Sequence, residues 1–562
     1  MPSRHPETAS ETPGTPLIVQ SDGSVLLDVH GEGVDATRSE IAPFAELVKS
    51  PEHVHTYQIS PLSLWNAASA GLSSEEILET VAKRSRFPIP DNVAFTIQEQ
   101  MGRYGMIRLK STDDENVLVL EVPDRPARAE IEATRSVAKH LQPHGDDFLV
   151  PLHLRGTIKL ELIRIGYPVV DEAPLREGEA FPMALRSTDS DGDEFSVRSY
   201  QQEAVESFVG DRRAGTGFGT VVLPCGAGKT IVGMAAMASL ATNTLVLTTN
   251  VAAVHQWIDE LCDKSDVPRD AIGEYTGSKK EIKPITITTY QILVWRADKA
   301  SDDFPHFKLF RERAWGLIIY DEVHLLPAPI FRVTAELQAI RRLGLTATLV
   351  REDGREEDVF TLVGPKRYDV PWKELEAKGF IATAECFEIR VELPSDDKIN
   401  YAVADKRAKF RIASENPLKL DIVKQLVENH REDAIIVIGQ YLSQLDQVAK
   451  LLEVPLITGK TKNDEREVIY DRFRRGEERV IVVSKVANFA IDLPDASVAV
   501  QISGSFGSRQ EEAQRLGRIL RPKERNSFFY SVVSRHTVEE NFSANRQKFL
   551  TEQGYKYHIE VW

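Results

Sequence analysis

Cysteine is almost missing from this chain. Three occur in 562 residues, Cys225, Cys262 and Cys386, too scattered for a CxxC pair and without histidines at ligand spacing. That argues against a disulfide framework and against a zinc site. Long hydrophobic runs are missing too: none approaches the roughly 18–20 residues of a membrane span. The polar start MPSRHPETASETPGTP has no apolar signal core, so a reducing cytoplasm is the expected compartment and no membrane partner is expected. Nor is there a basic excess, since 69 Lys and Arg face 85 Asp and Glu for a net charge of −16. Taken alone, that charge works against a nucleic-acid partner, because such affinity comes from neutralised phosphates. A local basic or amide-lined track is enough, however, and the remaining acid then serves solubility. What is present is ordinary for a soluble globular protein, with 42% hydrophobic and 27% charged residues. The length exceeds a single core and predicts three or four domains.

The first 15 residues read as a disordered tail. LIVQSDGSVLLDVH then predicts two short strands around a Ser-Asp-Gly turn. Ser60-Pro61 and Gly71 bracket a helix, Ser73 and Glu76 form a capping box opening a second, and DNVAFTIQEQMGRY is a third. MIRLK and NVLVLEV follow as a strand pair. Three helices and a hairpin form the order of a winged-helix-like module within residues 16–125; DNA binding and protein contact both remain open for it. Residues 126–195 predict a small domain and linker. IEATRSVAKHLQ is helical there, and GTIKLELIRIG, ambiguous by alternation, is assigned to a helix by Thr157 and Gly166. STDSDGDEF, residues 187–195, is a linker or exposed loop. Beyond Val197, TVVLP, TLVLTT, ITITTY, LIIYD and RLGLTAT are strands separated by helical patterns. AIIVIGQ, LITGK, RVIVVSK, VAVQIS and FFYSVV form a second such series. The expected fold class is α/β, with two tandem parallel-sheet domains at 196–366 and 367–562 behind a mixed α/β N-terminal region.

TVVLP runs into CGAGKT and then into a helical stretch, the strand–loop–helix context of a phosphate-binding loop. Cys225, Gly226, Ala227 and Gly228 would turn backbone N–H groups toward a phosphate at a helix N-terminus. Lys229 would reach the β- and γ-phosphates, and Thr230 would hold Mg²⁺. Leu223 stands where the first glycine of the usual pattern falls. In LIIYDEVH, Asp321 and Glu322 end an apolar strand, where ligands sit in open α/β sheets. Asp321 would position Mg²⁺, and Glu322 would polarise an attacking water. The plain alternative, two acids capping a helix, is weakened by their spacing of roughly ninety residues from Lys229. His324 would couple this site to a neighbouring loop, or else simply pack. In QRLGRILR, Gln514, Arg518 and Arg521 share one helix face, either as a solvated basic stripe or as arginine fingers across a cleft.

Together LPCGAGKT, YDEVH, GLTATLVRED and QRLGRILR resemble motifs I, II, III and VI of superfamily-two helicases. The DEVH box and the Arg351-Glu352-Asp353 triplet narrow the resemblance to the XPB family of DNA repair helicases, bacterial type. It covers residues 196–535 well and the N-terminal half less sharply. The resemblance implies two RecA-like domains, an entry motif in RSYQQEAV with Gln201 near the adenine, and a damage-recognition domain within 126–185. It also implies a Red motif at Arg351, Glu352 and Asp353 that touches DNA or that domain, and a thumb, matched by 396–417. VVSKVANFAIDLP corresponds to motif V, with Ala490 where glycine often stands. The implied activity is 3′→5′ DNA unwinding driven by ATP and Mg²⁺ in nucleotide excision repair or a related process.

For the DNA track the strand-end loops supply candidates: Thr249 and Asn250, Thr289 and Tyr290, and Ser484 and Lys485, whose hydroxyls and amides hold phosphates without reading sequence. The expected partner is single-stranded or forked duplex DNA, bound by a monomeric motor. Two rivals stand beside the helicase: a double-strand DNA translocase that never separates strands, and an ATP-gated clamp that recruits a nuclease.

Overall fold

Four sheets organise the described residues. The computed structural model describes residues 15–49, 53–190, 192–211, 216–224, 226–298, 304–327, 329–330, 334, 337, 340–347, 356–370, 372–484, 496–504, 526–552 and 554–562. β1 (Leu17–Val19) and β2 (Ser24–Asp28) pair antiparallel across the expected turn. α1 (Val34–Ile41) leads into β3 (Glu46–Lys49) and β4 (Val54–Gln58), completing a four-stranded sheet of order β1-β2-β4-β3. α2 (Pro61–Ser69), α3 (Ser74–Arg84) and α4 (Asp91–Arg103) share a core with this sheet, including Leu27, Tyr57, Leu64, Ile77 and Ile97. Their starts are where the caps predict. The Ser60 side chain accepts from Ser63 N with Pro61 at the first helical position, and Ser73 and Glu76 satisfy each other's backbone N–H.

The hairpin that follows departs from the sequence expectation. β5 (Ile107–Ser111) and β6 (Val117–Glu121) do not form a wing on α2–α4. They pair into a five-stranded sheet with β7 (Gln142–His144), β8 (Asp147–Pro151) and β9 (Val169–Asp171), in the order β7-β8-β6-β5-β9. A boundary at residue 125 therefore cuts a sheet. The register Leu118↔Val150 and Leu120↔Phe148 faces apolar side chains inward with those of α5 (Arg125–Ala133), α6 (Arg135–Ala138) and α7 (Arg155–Arg164). Pairing across some thirty residues leaves no mark in local periodicity. GTIKLELIRIG is the helix α7, burying Ile158, Leu162 and Ile163.

The first large sheet is all parallel. β10 (Phe218–Val222), β11 (Thr244–Thr248), β12 (Ile272–Tyr275), β13 (Ile285–Thr289), β14 (Leu317–Asp321), β15 (Arg341–Thr346) and β16 (Lys366–Asp369) are ordered β12-β13-β11-β14-β15-β10-β16. Every position of β10, β11 and β13 is buried, as expected of parallel strands covered on both faces. The helices that accompany it include α8 (Ser199–Val209), α9 (Lys229–Leu240), α10 (Val251–Lys264), α11 (Tyr290–Leu293) and α12 (Glu356–Leu362).

A second parallel sheet holds β17 (Ala384–Val391), β18 (Ile435–Gly439), β19 (Leu456–Ile457), β20 (Val480–Ser484), β21 (Val498–Gln501), β22 (Ser527–Ser534) and β23 (Tyr557–Val561), ordered β19-β20-β18-β21-β22-β17-β23. The expected strands are all there; β17 and β23 are additional, because their alternating polarity lacks the continuous apolar run of the others. Segment 396–417 is largely helical: α13 (Ser395–Val403) and α14 (Lys406–Ser414). Residues up to Asp369, apart from 49–51 and 223–227, form one compact unit, and Val370–Trp562 a second.

Candidate nucleotide site

In a parallel sheet every strand ends at the same edge, and in the first unit that edge collects the chemistry. β14, β15 and β10 are successive neighbours, registered Asp321↔Leu345 and Val222↔Thr346. The start of α9, the residue Thr346 and the Asp321-Glu322 pair therefore emerge side by side, although about ninety residues separate Lys229 from Asp321.

The loop ends in Gly226 (φ 80) and Gly228 (φ 73), and α9 starts at Lys229. At Gly228 the left-handed backbone disfavours a side chain, and an added Cβ would lie 2.5 Å from Gln201 Nε2. Gln201 is thus set against the loop. Its Oε1 accepts from the Arg198 backbone N–H at 2.9 Å, which orients the side chain amide. Lys229 Nζ lies 3.4 Å from Glu322 Oε1, and Thr230 is the second residue of α9.

Asp321 is held from two sides: Trp257 Nε1–H donates to its Oδ2 at 3.0 Å, and Tyr290 O–H donates to its backbone carbonyl at 2.8 Å. Glu322 has φ 51, a conformation that costs a non-glycine residue roughly 1–3 kcal/mol and clusters at functional sites. Burial, then the Glu322 carboxylate, push the Asp321 carboxyl up to about 6. Burial opposes ionisation of Glu322 as well, but Lys229 and His324 outweigh it and hold that carboxyl below its usual range. The two acids are therefore unlike, one biased toward its proton and one toward its charge. His324 is buried, with Nδ1 2.7 Å from Thr346 Oγ1 and 3.4 Å from Glu322 Oε2. It bridges the carboxylate to the end of β15.

The structure thus brings Gln201 against Gly228, and Lys229 together with Glu322 and His324. Cys225, Arg351, Glu352, Asp353, Lys485, Gln514, Arg518 and Arg521 lie outside the described residues. On the other half of the edge, Thr249 and Asn250 follow β11, and Asn250 Oδ1 caps α10 by accepting from Ala253 N at 2.9 Å. Thr289 and Tyr290 are buried: the Thr289 hydroxyl accepts from Ile292 N–H, and Tyr290 turns inward to Asp321. Ser484 is buried at the end of β20. Trp257 and Thr346 were not singled out from the sequence. Thr346 lies in the GLTAT run already assigned to a motif, whereas Trp257, inside VAAVHQWIDEL, reads as one more core aromatic.

A glycine-bounded loop and an acid pair at one edge of a parallel sheet, with a second parallel sheet following, is the framework of the helicase class. Three family models match in that sense: a Helicase conserved C-terminal domain over residues 17–144, the Type III restriction enzyme res subunit over 194–351, and the ERCC3/RAD25/XPB C-terminal helicase over 375–561. The chain is 50% identical over 548 residues, 97% of its length and 96% of the relative's, to the DNA 3'-5' helicase XPB of Kineococcus radiotolerans. It is 49% identical, over 97% of both chains, to the protein of that name in Mycobacterium tuberculosis. A more distant relative is the general transcription and DNA repair factor IIH helicase/translocase subunit XPB of Antonospora locustae, 35% identical over 96% of this chain and 81% of that one. The chain belongs to the XPB helicase family.

Proposed function

We propose that this chain is an ATP-driven 3′→5′ DNA helicase acting in repair of the nucleotide excision type. The observation that carries the reading is the Lys229–Glu322 pair at 3.4 Å beside the half-buried Asp321: one cation for phosphates, one charged carboxylate for a proton, and one further oxygen ligand. Lys229 and the backbone N–H groups at the start of α9 grip the phosphates, and Gln201 lies where an adenine would follow. Thr230 and Asp321 would hold Mg²⁺, whose charge stabilises the transferring phosphoryl group. Glu322, kept ionised by Lys229 and His324, orients the attacking water and accepts its proton. On the QRLGRILR motif, Arg518 and Arg521, with Gln514, would complete the site on the γ-phosphate, so that hydrolysis would drive opening and closing.

DNA lies along the carboxyl edge of β11 and β13, held by Thr249, Asn250 and backbone amides. With Thr289 and Tyr290 buried, their loop contributes main-chain groups. Lys485 and the Arg351-Glu352-Asp353 triplet would add phosphate contacts, and Ser484, buried at the end of β20, would offer only its backbone. The name of the Antonospora relative includes translocase as well as helicase, which supports duplex translocation as a second reading.

ATP turnover measured without nucleic acid, and with single-stranded DNA, duplex DNA or RNA, tests the assignment. Stimulation by DNA and displacement of a strand from a 3′-tailed duplex are expected. Triplex displacement without strand separation would favour the translocase, and stimulation by RNA alone would overturn the DNA reading.

A further inference from the structure

Asp321 stands where two halves of the sheet edge meet. β14 has β15 on one side, toward the phosphate loop, and β11 on the other, with β13 beyond it. The loop after β11 leads into α10, while β13 runs directly into the single turn of α11, and each of those helices sends one aromatic donor back to Asp321. Trp257 is the seventh residue of α10, the helix capped by Asn250, and lies roughly 9 Å along its axis from the first residue. Its indole N–H holds Oδ2 of the carboxylate at 3.0 Å. Tyr290 is the first residue of α11 and holds the carbonyl of the same aspartate at 2.8 Å. Neither can touch DNA from where it sits, being 1% and 3% exposed.

The Trp257 ring has a second neighbour. An added Cβ at Gly233 on α9 would lie 2.5 Å from its Cη2. Glycine is disfavoured inside a helix relative to alanine, and here it admits the ring. Trp257 is therefore packed between the helix of the phosphate loop and the aspartate. A rigid helix with a load at its N-terminus and a hydrogen bond to the carboxylate is a physical link of the kind that couples two sites.

On this geometry we propose that Trp257 and Tyr290 are positioning residues that report occupancy of the carboxyl ends of β11 and β13 to Asp321, so that DNA raises ATP turnover through these two hydrogen bonds. The proposal rests on the helicase reading above, because it takes DNA to lie along those strand ends.

The test compares Trp257→Phe, Tyr290→Phe and the double variant of the full chain. ATP turnover is measured with and without saturating single-stranded DNA, and DNA affinity by fluorescence anisotropy. Phenylalanine keeps each ring and removes only the donor. Each single variant is expected to lower the ratio of stimulated to unstimulated turnover roughly three- to tenfold, with DNA affinity within about twofold of the parent. The double variant should lose less than the product of the two, because both act on one residue. An unchanged ratio in the single variants overturns the proposal, and so does a weakened DNA affinity with the ratio intact. Should Trp257→Phe fail to fold, Tyr290→Phe, which deletes a single oxygen, decides alone. A parent protein without DNA stimulation is seen before any variant is made and refutes the underlying reading as well.

Discussion

Glu322 and Asp321 are adjacent in sequence and opposite in character. The left-handed backbone at Glu322 turns its carboxylate toward Lys229 and His324, while Asp321 stays at the strand end under Trp257. Glu322→Gln keeps the shape and removes the base, so DNA-stimulated turnover should fall by about 10²–10⁴-fold in a phosphate-release assay, with nucleotide binding retained. Lys229→Ala should cost about 10²–10³-fold in the same assay and weaken nucleotide binding too. A second residue-scale outcome concerns His55, buried on β4 with Nδ1 lacking a hydrogen-bond partner among the described residues. Burial, then Arg38, lower its pKa to about 4. An unfolded chain takes up that proton near pH 6.5, whereas the folded one refuses it until about pH 4. The stability contributed by a neutral His55 is therefore complete above pH 6.5 and declines as pH falls toward 4. His55→Leu should flatten the acid-side fall of the melting temperature measured across that window.

At the scale of elements, α7 and β9 are tied together by charge. Asp171 on β9 accepts from Arg155 at 2.7 and 2.9 Å and from Lys159 at 3.0 Å, and all three side chains are buried. Burial opposes the charge on Asp171, but Lys159 and Arg155 hold its carboxyl well below the usual range. Burial, in turn, brings Lys159 down to about 8. Removing one partner of such a cluster strands buried charge, so Asp171→Asn should destabilise the five-stranded sheet by about 3–5 kcal/mol, read as a lower urea midpoint. The Asp171 contribution is present above about pH 4 and is lost only as pH falls below it, so this deficit should hold at neutral and mildly acidic pH. The same region shows where local patterning ran out. Helix starts at Ser60 and Ser73 were legible because a cap acts over three residues. The partner of the β5–β6 hairpin was not, because β8 and β9 are set by pairing over distances that no periodicity encodes.

At the scale of the whole molecule, the proposed catalysis draws on the QRLGRILR motif as well as on the phosphate loop. Arg518→Ala or Arg521→Ala should leave nucleotide binding nearly intact while turnover falls by about 10³–10⁵-fold, the range for a finger that acts on transition-state charge; equilibrium nucleotide titration beside single-turnover hydrolysis checks this. The net charge of −16 predicts in addition that DNA stimulation is strongly salt-sensitive, since only a local track opposes an overall repulsion.

The sequence by itself determined the two parallel-sheet domains, the phosphate loop at Gly226–Thr230 and the acid pair at Asp321-Glu322. Buried parallel strands need continuous apolar runs, and each motif is read within a few residues. Tertiary structure alone decided that β15 lies between β10 and β14, that His324 meets Thr346, and that Tyr290 faces inward rather than toward a DNA track. It alone decided that Trp257 is a hydrogen-bond donor to the site instead of a core aromatic. Those outcomes depend on strand order and helix docking, which arise from contacts between residues tens to hundreds of positions apart and leave no local trace in the chain.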